Sequence, residues 1–222
     1  MKEQAFKIDK DIFRKPLIKY TRKAFQMLPK LDNPHILDVG CGTGVPTMEL
    51  ARLCNGQIVG VDIDLPSLDT FTKKIEEAEL SDRVRIVACS LFELDFPDET
   101  FDIIWSEGSI YTIGFGRGLT EWRRFIRPKG FLVVHDESKH AAKKREQISR
   151  SGYDLIESFT LPGDTWWKDY YTPLQEYINE VRREYSDNPA VLSACNTEQQ
   201  EIDMVKKNPR QYGSVFFVMQ KR

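Results

Sequence analysis

The chain has 222 residues, 41% of them apolar and 30% charged, with 32 Lys and Arg against 34 Asp and Glu for a formal net charge of −2. That length buries a substantial core, and an aromatic content of 11% excludes a disordered chain. The balanced charge argues against binding nucleic acid by bulk charge, and no apolar run approaches the roughly 20 residues of a membrane span.

The predicted elements begin after a charge-rich start, MKEQAFKIDKDIFRK, that carries no sign of a signal peptide. Ile12, Phe13, Leu17, Tyr20, Ala24, Phe25 and Leu28 recur near a helical period, which predicts a helix over 11–28 with Pro16 in its first turn. His35–Val39 is a short buried strand stopped by glycines, and a helix follows over Val45–Cys54. A second strand, Gln57–Val61, ends at Asp62, before a helix over Pro66–Ala78 with Leu68, Phe71 and Ile75 on one side. Strands at Val84–Ala88 and Phe101–Trp105 come next, then a helix over Leu119–Ile126 closed by the turn Arg127–Gly130. A fifth strand covers Phe131–His135. Strand and helix alternate, and the strands are apolar on both faces, so a parallel sheet covered by helices is expected.

The alternation stops there. A basic helix over 139–151 leads to a strand, Tyr153–Leu161. The excursion 162–212 has two helices, about 173–185 and 189–207, and the chain closes with a strand at Gly213–Met219. Two terminal strands joined by a long excursion read as an antiparallel addition at the sheet edge. The run Lys139–Arg150 is expected to be a solvated helix face. Cysteines at 41, 54, 89 and 195 lack CxxC spacing, as for reduced thiols in a cytoplasmic protein. His135, Asp136, Glu137 and His140 sit at a strand end with alternating faces, so solvated polar residues are expected there rather than a metal site.

The most informative stretch is Ile36-Leu37-Asp38-Val39-Gly40-Cys41-Gly42-Thr43-Gly44, between a strand and a helix. Glycines there allow a tight turn and let a ligand approach the backbone. Asp62, at the end of the next strand, is placed to accept hydrogen bonds from both ribose hydroxyls of an adenosine. The dinucleotide fingerprint GxGxxG is not met, because Val45 stands where its last glycine belongs. Asp38 would repel a pyrophosphate and favour a cation such as an amino-acid ammonium. These features favour S-adenosylmethionine over NAD.

ILDVGCGTG followed by VDID resembles the class I S-adenosylmethionine-dependent methyltransferases, in the branch of the ubiquinone and menaquinone enzymes and related small-molecule enzymes. The resemblance runs through 36–136 and extends to Gly213–Arg222 as the last strand. It implies an α/β, Rossmann-like, seven-stranded sheet of order 3-2-1-4-5-7-6 with its last strand antiparallel, helices on both faces, and a helical cap between strands 6 and 7. The whole of 1–222 is then one domain, with the N-terminal helix region 8–30 and the insertion 162–212 as substrate cap. Family members commonly carry an Asp after the third strand that contacts adenine. Here Ser90 takes that place, with the Leu91 backbone meeting the ring.

The implied cofactor-binding set is Tyr20, Asp38, Gly40, Cys41, Gly42, Gly44, Asp62, Ile63, Ser90, Leu91, Ser106 and Glu107. Tyr20 is assigned to the methionine carboxylate on position alone, and Cys41 reads more readily as a small packed residue than as a nucleophile. The fourth strand ends in Ser106-Glu107-Gly108-Ser109, which is not the motif of amino methylases acting on nucleic-acid bases. Glu107, and after it Tyr111, are the candidate catalytic bases, although proximity alone drives many such transfers, and Glu107 has the alternative of positioning the cofactor. Trp166, Trp167, Tyr170 and Tyr171 either line a cleft or pack the cap on the core.

The expected function is methyl transfer from S-adenosylmethionine to a small-molecule acceptor, aromatic or apolar, without nucleic acid, a metal or a membrane span, in a protein open to forming a homodimer. The alternatives are a non-catalytic cofactor-binding module and, behind it, an NAD-dependent oxidoreductase.

Overall fold

A computed structural model describes residues 6–207 and 213–222. In chain order the elements are α1 (Asp11–Arg14), α2 (Ile18–Gln26), β1 (His35–Val39), α3 (Val45–Leu53), β2 (Gln57–Asp62), α4 (Leu65–Glu77), β3 (Val84–Ala88), β4 (Phe101–Glu107), α5 (Phe115–Trp122), β5 (Ile126–Glu137), α6 (Ala141–Arg150), β6 (Tyr153–Thr160), α7 (Thr172–Glu184), α8 (Pro189–Lys207) and β7 (Ser214–Lys221). They fall into two compact units. One comprises Ile18–Leu161 with Ser214–Arg222, and the other the described residues up to Leu17 and from Pro162 to Gly213.

The larger unit holds one seven-stranded sheet of order β3-β2-β1-β4-β5-β7-β6, as the resemblance implies. The pairs β1–β2, β1–β4, β2–β3 and β4–β5 are parallel, and β7 runs antiparallel to both β5 and β6. Because side chains alternate along a strand, each apolar run feeds two cores. On one face Leu37, Val39, Val61, Ile104, Leu132 and Val134 pack with Leu119 and Trp122 of α5 and Ile148 of α6. On the other Ile36, Ile58, Ile103, Trp105, Val133 and Phe216 pack with Ala24 of α2, Met48 of α3 and Phe71 of α4. Each such side chain contributes about 1.5–3 kcal/mol on burial, so the sheet is anchored from both sides.

Several elements differ from expectation for local reasons. The helix expected over 11–28 is broken: α1 passes into a 3₁₀ turn, Lys15–Leu17, before α2 begins. Pro16 lacks an N–H and its ring crowds the preceding turn, so an α-helix does not run through it. The helix expected from Leu119 starts at Phe115, where Gly116 and Gly118 weaken the sequence signal. A Cβ on Gly118 would stand 2.7 Å from Ile110 Cγ1, so close packing explains that glycine.

The turn expected at Arg127–Gly130 is a bulge inside β5. The register with β4 shifts from Phe101↔Ile126 to Ile103↔Phe131, and Lys129 sits at φ 63. A second irregularity lies in β6, where Leu155 pairs with Met219 and Glu157 with Val218, leaving Ile156 over.

The smaller unit is helical. Leu174, Ile178 and Val181 of α7 pack with Val191, Cys195, Ile202 and Val205 of α8, and with Ile8 and Phe13. A π-helical turn, Trp167–Tyr171, precedes α7. Tyr170 and Tyr171 are buried in this unit's own core, and the Tyr171 hydroxyl donates to Glu201 Oε1 at 3.0 Å. Residues 208–212 of the expected excursion lie outside the described residues.

Candidate functional site

The loop between β1 and α3 is fixed from below. The amides of Gly40 and Cys41 both donate to the Val61 carbonyl, at 2.8 and 3.0 Å, and Gly44 N donates to Cys41 O at 2.9 Å. Gly40 and Gly44 both have φ 78, in the left-handed region that favours glycine. A Cβ on Gly40 would lie 2.3 Å from Ser109 Cβ. Gly42, at φ 52, differs: only Asp62 Oδ2, at 4.0 Å, comes near the place of its Cβ. Two glycines are thus required by the protein's own packing, and the third leaves an open backbone face.

One acid meets that loop directly, and a second lies buried on the strand before it. Asp62, at the end of β2, accepts Gly42 N on Oδ2 at 2.7 Å and Asp64 N on Oδ1 at 3.0 Å. Each carboxylate oxygen keeps a further lone pair for an incoming donor. Asp38, on β1, is buried and accepts a hydrogen bond from the Thr47 hydroxyl. Burial pushes its carboxyl up to about 7, the Thr47 bond opposes this and the charge of Asp62 adds to it. Such a carboxyl is poised for a cation, which would restore its charge.

Glu107 closes β4 on the same side of the sheet. Its Oε1 accepts from Trp105 Nε1 at 2.8 Å, and Thr21 of α2 also bonds to it. Burial raises this carboxyl to about 7, the two hydrogen bonds oppose the rise, and the charge of Asp38 adds to it. Arg22, beside Thr21, bonds to the buried Glu49 of α3 and helps to fix α2.

The other expected residues are distributed around these. Ile63, next to Asp62, is 70% exposed. Ser90 and Leu91 follow β3, and Ser90 Oγ accepts Phe92 N at 3.2 Å. Ser106 is fully buried, its hydroxyl 2.7 Å from that of Ser109, which in turn donates to Val39 O. Cys41 is buried, and burial pushes its thiol up, so it is packed and inert. Tyr111 is 68% exposed on the 3₁₀ turn Ile110–Thr112. Tyr20 is half-buried, with its ring 6.5 Å from that of Phe159. Thus Asp38, the glycine loop, Asp62 and Glu107 gather at the carboxyl ends of the strands, while Tyr111 points to solvent.

Two expectations are corrected. His135 and Asp136 are buried rather than solvated, because β5 continues to Glu137 and β7 pairs along its whole end. The ring of His135 stacks on Phe216 at 4.3 Å, and burial lowers its pKa to about 4. The run Lys139–Arg150 is not uniformly solvated either. Lys144 is buried, donating to Asp136 Oδ2 at 2.6 Å and to Glu137 O at 2.7 Å.

The sequence reading passed over Thr47 and Thr21 and gave no role to Trp105 or Ser109; Thr47 bonds to Asp38, Thr21 and Trp105 to Glu107, and Ser109 to Ser106. Thr47 carried a usable signal, since it lies in the first turn of the helix that follows the glycines.

The open face at Gly42, the spare lone pairs of Asp62 and the exposed Ile63 leave this end of the sheet accessible to a polar ligand.

Residues 37–134 match the family described as Methyltransferase domain. The demethylmenaquinone methyltransferase of Lactiplantibacillus plantarum is 33% identical over 117 residues, 48% of this chain and 46% of that protein. The 27-O-demethylrifamycin SV methyltransferase of Amycolatopsis mediterranei is 28% identical over 111 residues, 50% of this chain and 41% of that protein. The matches thus span less than half the length of these curated relatives.

Among solved structures, a SAM-dependent methyltransferase from Geobacter sulfurreducens in complex with S-adenosyl-L-homocysteine superposes with a TM-score of 0.73 at 15% identity, covering 97% of this chain and 99% of that one. The cyclase SpnF gives a TM-score of 0.76 at 22% identity, covering 92% and 80%. Residues 37–134 are thus similar to a methyltransferase domain, and the sheet they belong to has the Rossmann-like order these solved structures share. No helix among the described residues is long and apolar enough to cross a membrane.

Proposed function

We propose that this protein binds S-adenosylmethionine and transfers its methyl group to a small-molecule acceptor. The observation that carries the reading is the open backbone face at Gly42, buttressed by Asp62. The sulfonium supplies an activated methyl, so the chemistry needs little from the protein beyond alignment. Asp62 holds the ribose, Asp38 takes the ammonium, and the glycine loop accepts the ligand against its amides. Keeping Asp38 at the amino-acid end, away from sulfur, leaves the positive charge on the sulfonium unstabilised in the ground state. The in-line approach of the acceptor atom to about 3–3.5 Å of the methyl then limits the rate.

Glu107 is engaged by Trp105 and Thr21, which favours a binding role over that of a free base. Tyr111 remains the exposed candidate for a base. An aromatic or apolar acceptor is supported by relatives named for demethylmenaquinone and demethylrifamycin. Residues 162–212 and the N-terminal region 8–30 are proposed as the substrate cap. A cytoplasmic setting is supported by four cysteines that are all free. The homodimer is part of the same proposal, tested by light scattering after size exclusion.

The decisive experiment is incubation with methyl-labelled S-adenosylmethionine and a panel of hydroquinones, phenols and sterols, after calorimetric titration with S-adenosylhomocysteine and NAD. Binding of S-adenosylhomocysteine with label transfer supports the reading. Binding without transfer to any acceptor class marks a non-catalytic module. Binding of NAD alone overturns it.

A further inference from the structure

Asp38 and Glu107 lie on neighbouring strands of one sheet face. In the β1–β4 register Asp38 pairs with Trp105, and Glu107 is the next residue of β4 on that face. Among the described residues no Lys or Arg forms an ion pair with either acid. Arg22 of α2 is bonded to Glu49, Arg52 of α3 also turns to Glu49, and Lys74 of α4 donates to Thr43 O at 2.9 Å.

The other groups facing the two acids offer no positive charge. Asp62 and the buried Cys41 thiol face Asp38, along with the Thr47 hydroxyl of α3. Thr21 of α2 and the Trp105 indole face Glu107. From β5, His135 pairs with Glu107 in register, and burial keeps its imidazole neutral at ordinary pH. Burial raises both carboxyls, and the charge of Asp38 adds to the rise at Glu107, so with no counter-ion beside them a proton is retained on the pair.

Resting on the cofactor reading above, we propose that Asp38 and Glu107 hold one proton between them in the free protein and release it to solvent when the cofactor's α-ammonium enters, with Thr21 and Trp105 as positioning residues that fix Glu107 on Asp38's side of the sheet. Binding is then an exchange of a proton for an ammonium, and charge balances. The carboxyl O–H breaks, its proton goes to water, and the ammonium enters with its own protons intact. The hydrogen bonds from Thr21 and Trp105 tie this exchange to α2, which carries Thr21.

The test compares two ligands by calorimetry between pH 6 and 8, in buffers of different ionisation enthalpy that count protons. S-adenosylhomocysteine carries the ammonium, and 5′-methylthioadenosine lacks the amino-acid moiety. For one carboxyl titrating near neutrality, S-adenosylhomocysteine should bind about tenfold tighter at pH 8 than at pH 6, with close to one proton released at pH 6. Affinity for 5′-methylthioadenosine should stay flat.

Glu107→Gln should flatten the S-adenosylhomocysteine profile and abolish most of the proton release. Thr21→Val and Trp105→Phe should keep 5′-methylthioadenosine binding yet displace the pH profile for S-adenosylhomocysteine, and Thr21→Ser should restore it. S-adenosylhomocysteine binding that is flat with pH and releases no proton overturns this inference while leaving the cofactor reading intact. Failure of both ligands to bind overturns both.

Discussion

Phe71 of α4 occupies the space that a side chain on Gly44 would need: a Cβ there would lie 2.1 Å from Phe71 Cδ2. The fully buried ring thereby sets the height of the glycine loop over the sheet. Gly44→Ala should cost about 3 kcal/mol or more, from overpacking and a strained φ. Gly42→Ala meets no such wall and should cost about 1 kcal/mol, the left-handed penalty alone. It should nonetheless remove S-adenosylhomocysteine binding, because its methyl fills the open face. Thermal melts with ligand titration separate the two, and equal stability losses would refute this division of roles.

Asp62 has two tasks, since it buttresses Gly42 and offers acceptors to a ligand. Asp62→Ala should weaken S-adenosylhomocysteine by about 1–3 kcal/mol. Asp62→Asn keeps one acceptor oxygen and should lose less. Unchanged affinity in the alanine variant would remove Asp62 from the site.

The buried His135 imidazole gives the fold a sensitivity to acid. Its pKa falls from 6.5 to about 4 in the folded protein, so below pH 6.5 the unfolded chain takes up a proton that the native one refuses. Stability from this group is therefore full above pH 6.5 and drains as pH falls towards 4, by an amount on the order of 2–3 kcal/mol. His135→Phe keeps a ring against Phe216 and should flatten the melting temperature across that window. Parallel profiles for variant and wild type would show that burial of His135 is not the cause.

Asp136 and Lys144 form a buried pair between the end of β5 and α6. Lys144→Met should destabilise by about 3–5 kcal/mol, because it strands a buried carboxylate. Adding Asp136→Leu should recover much of that loss. Denaturant unfolding of the single and double variants measures both steps.

Much of the sheet was legible because its signals are local. The apolar runs at Ile36–Val39 and Ile58–Val61 stop at glycines or an acid, and the resemblance supplied the strand order. The glycine loop and the place of Asp62 beside it were legible for the same reason, since both follow directly from short segments at strand ends. What escaped was set by contacts distant in sequence. Glu107 reads equally as a base or as a positioning residue until Trp105 and Thr21 are seen to hold it. His135 reads as a polar strand end until β7, some 80 residues later in the chain, covers it. Proline and glycine misplaced the helix ends at Pro16 and Gly116. At the first the ring breaks a regular period, and at the second tertiary packing overrides weak propensity.

The extra residue in β6 bears on how copies of this protein meet. β6 is an outer strand of the sheet, with backbone groups on one side that no other strand of the sheet takes up. Ile156 interrupts the ladder of β6 with β7 and bends the strand there, while Asp154 nearby is paired with Arg222 at 3.4 Å. A second molecule adding a strand to that rim would meet a bent strand and fall out of step midway, so the bulge works against edge-to-edge pairing at β6.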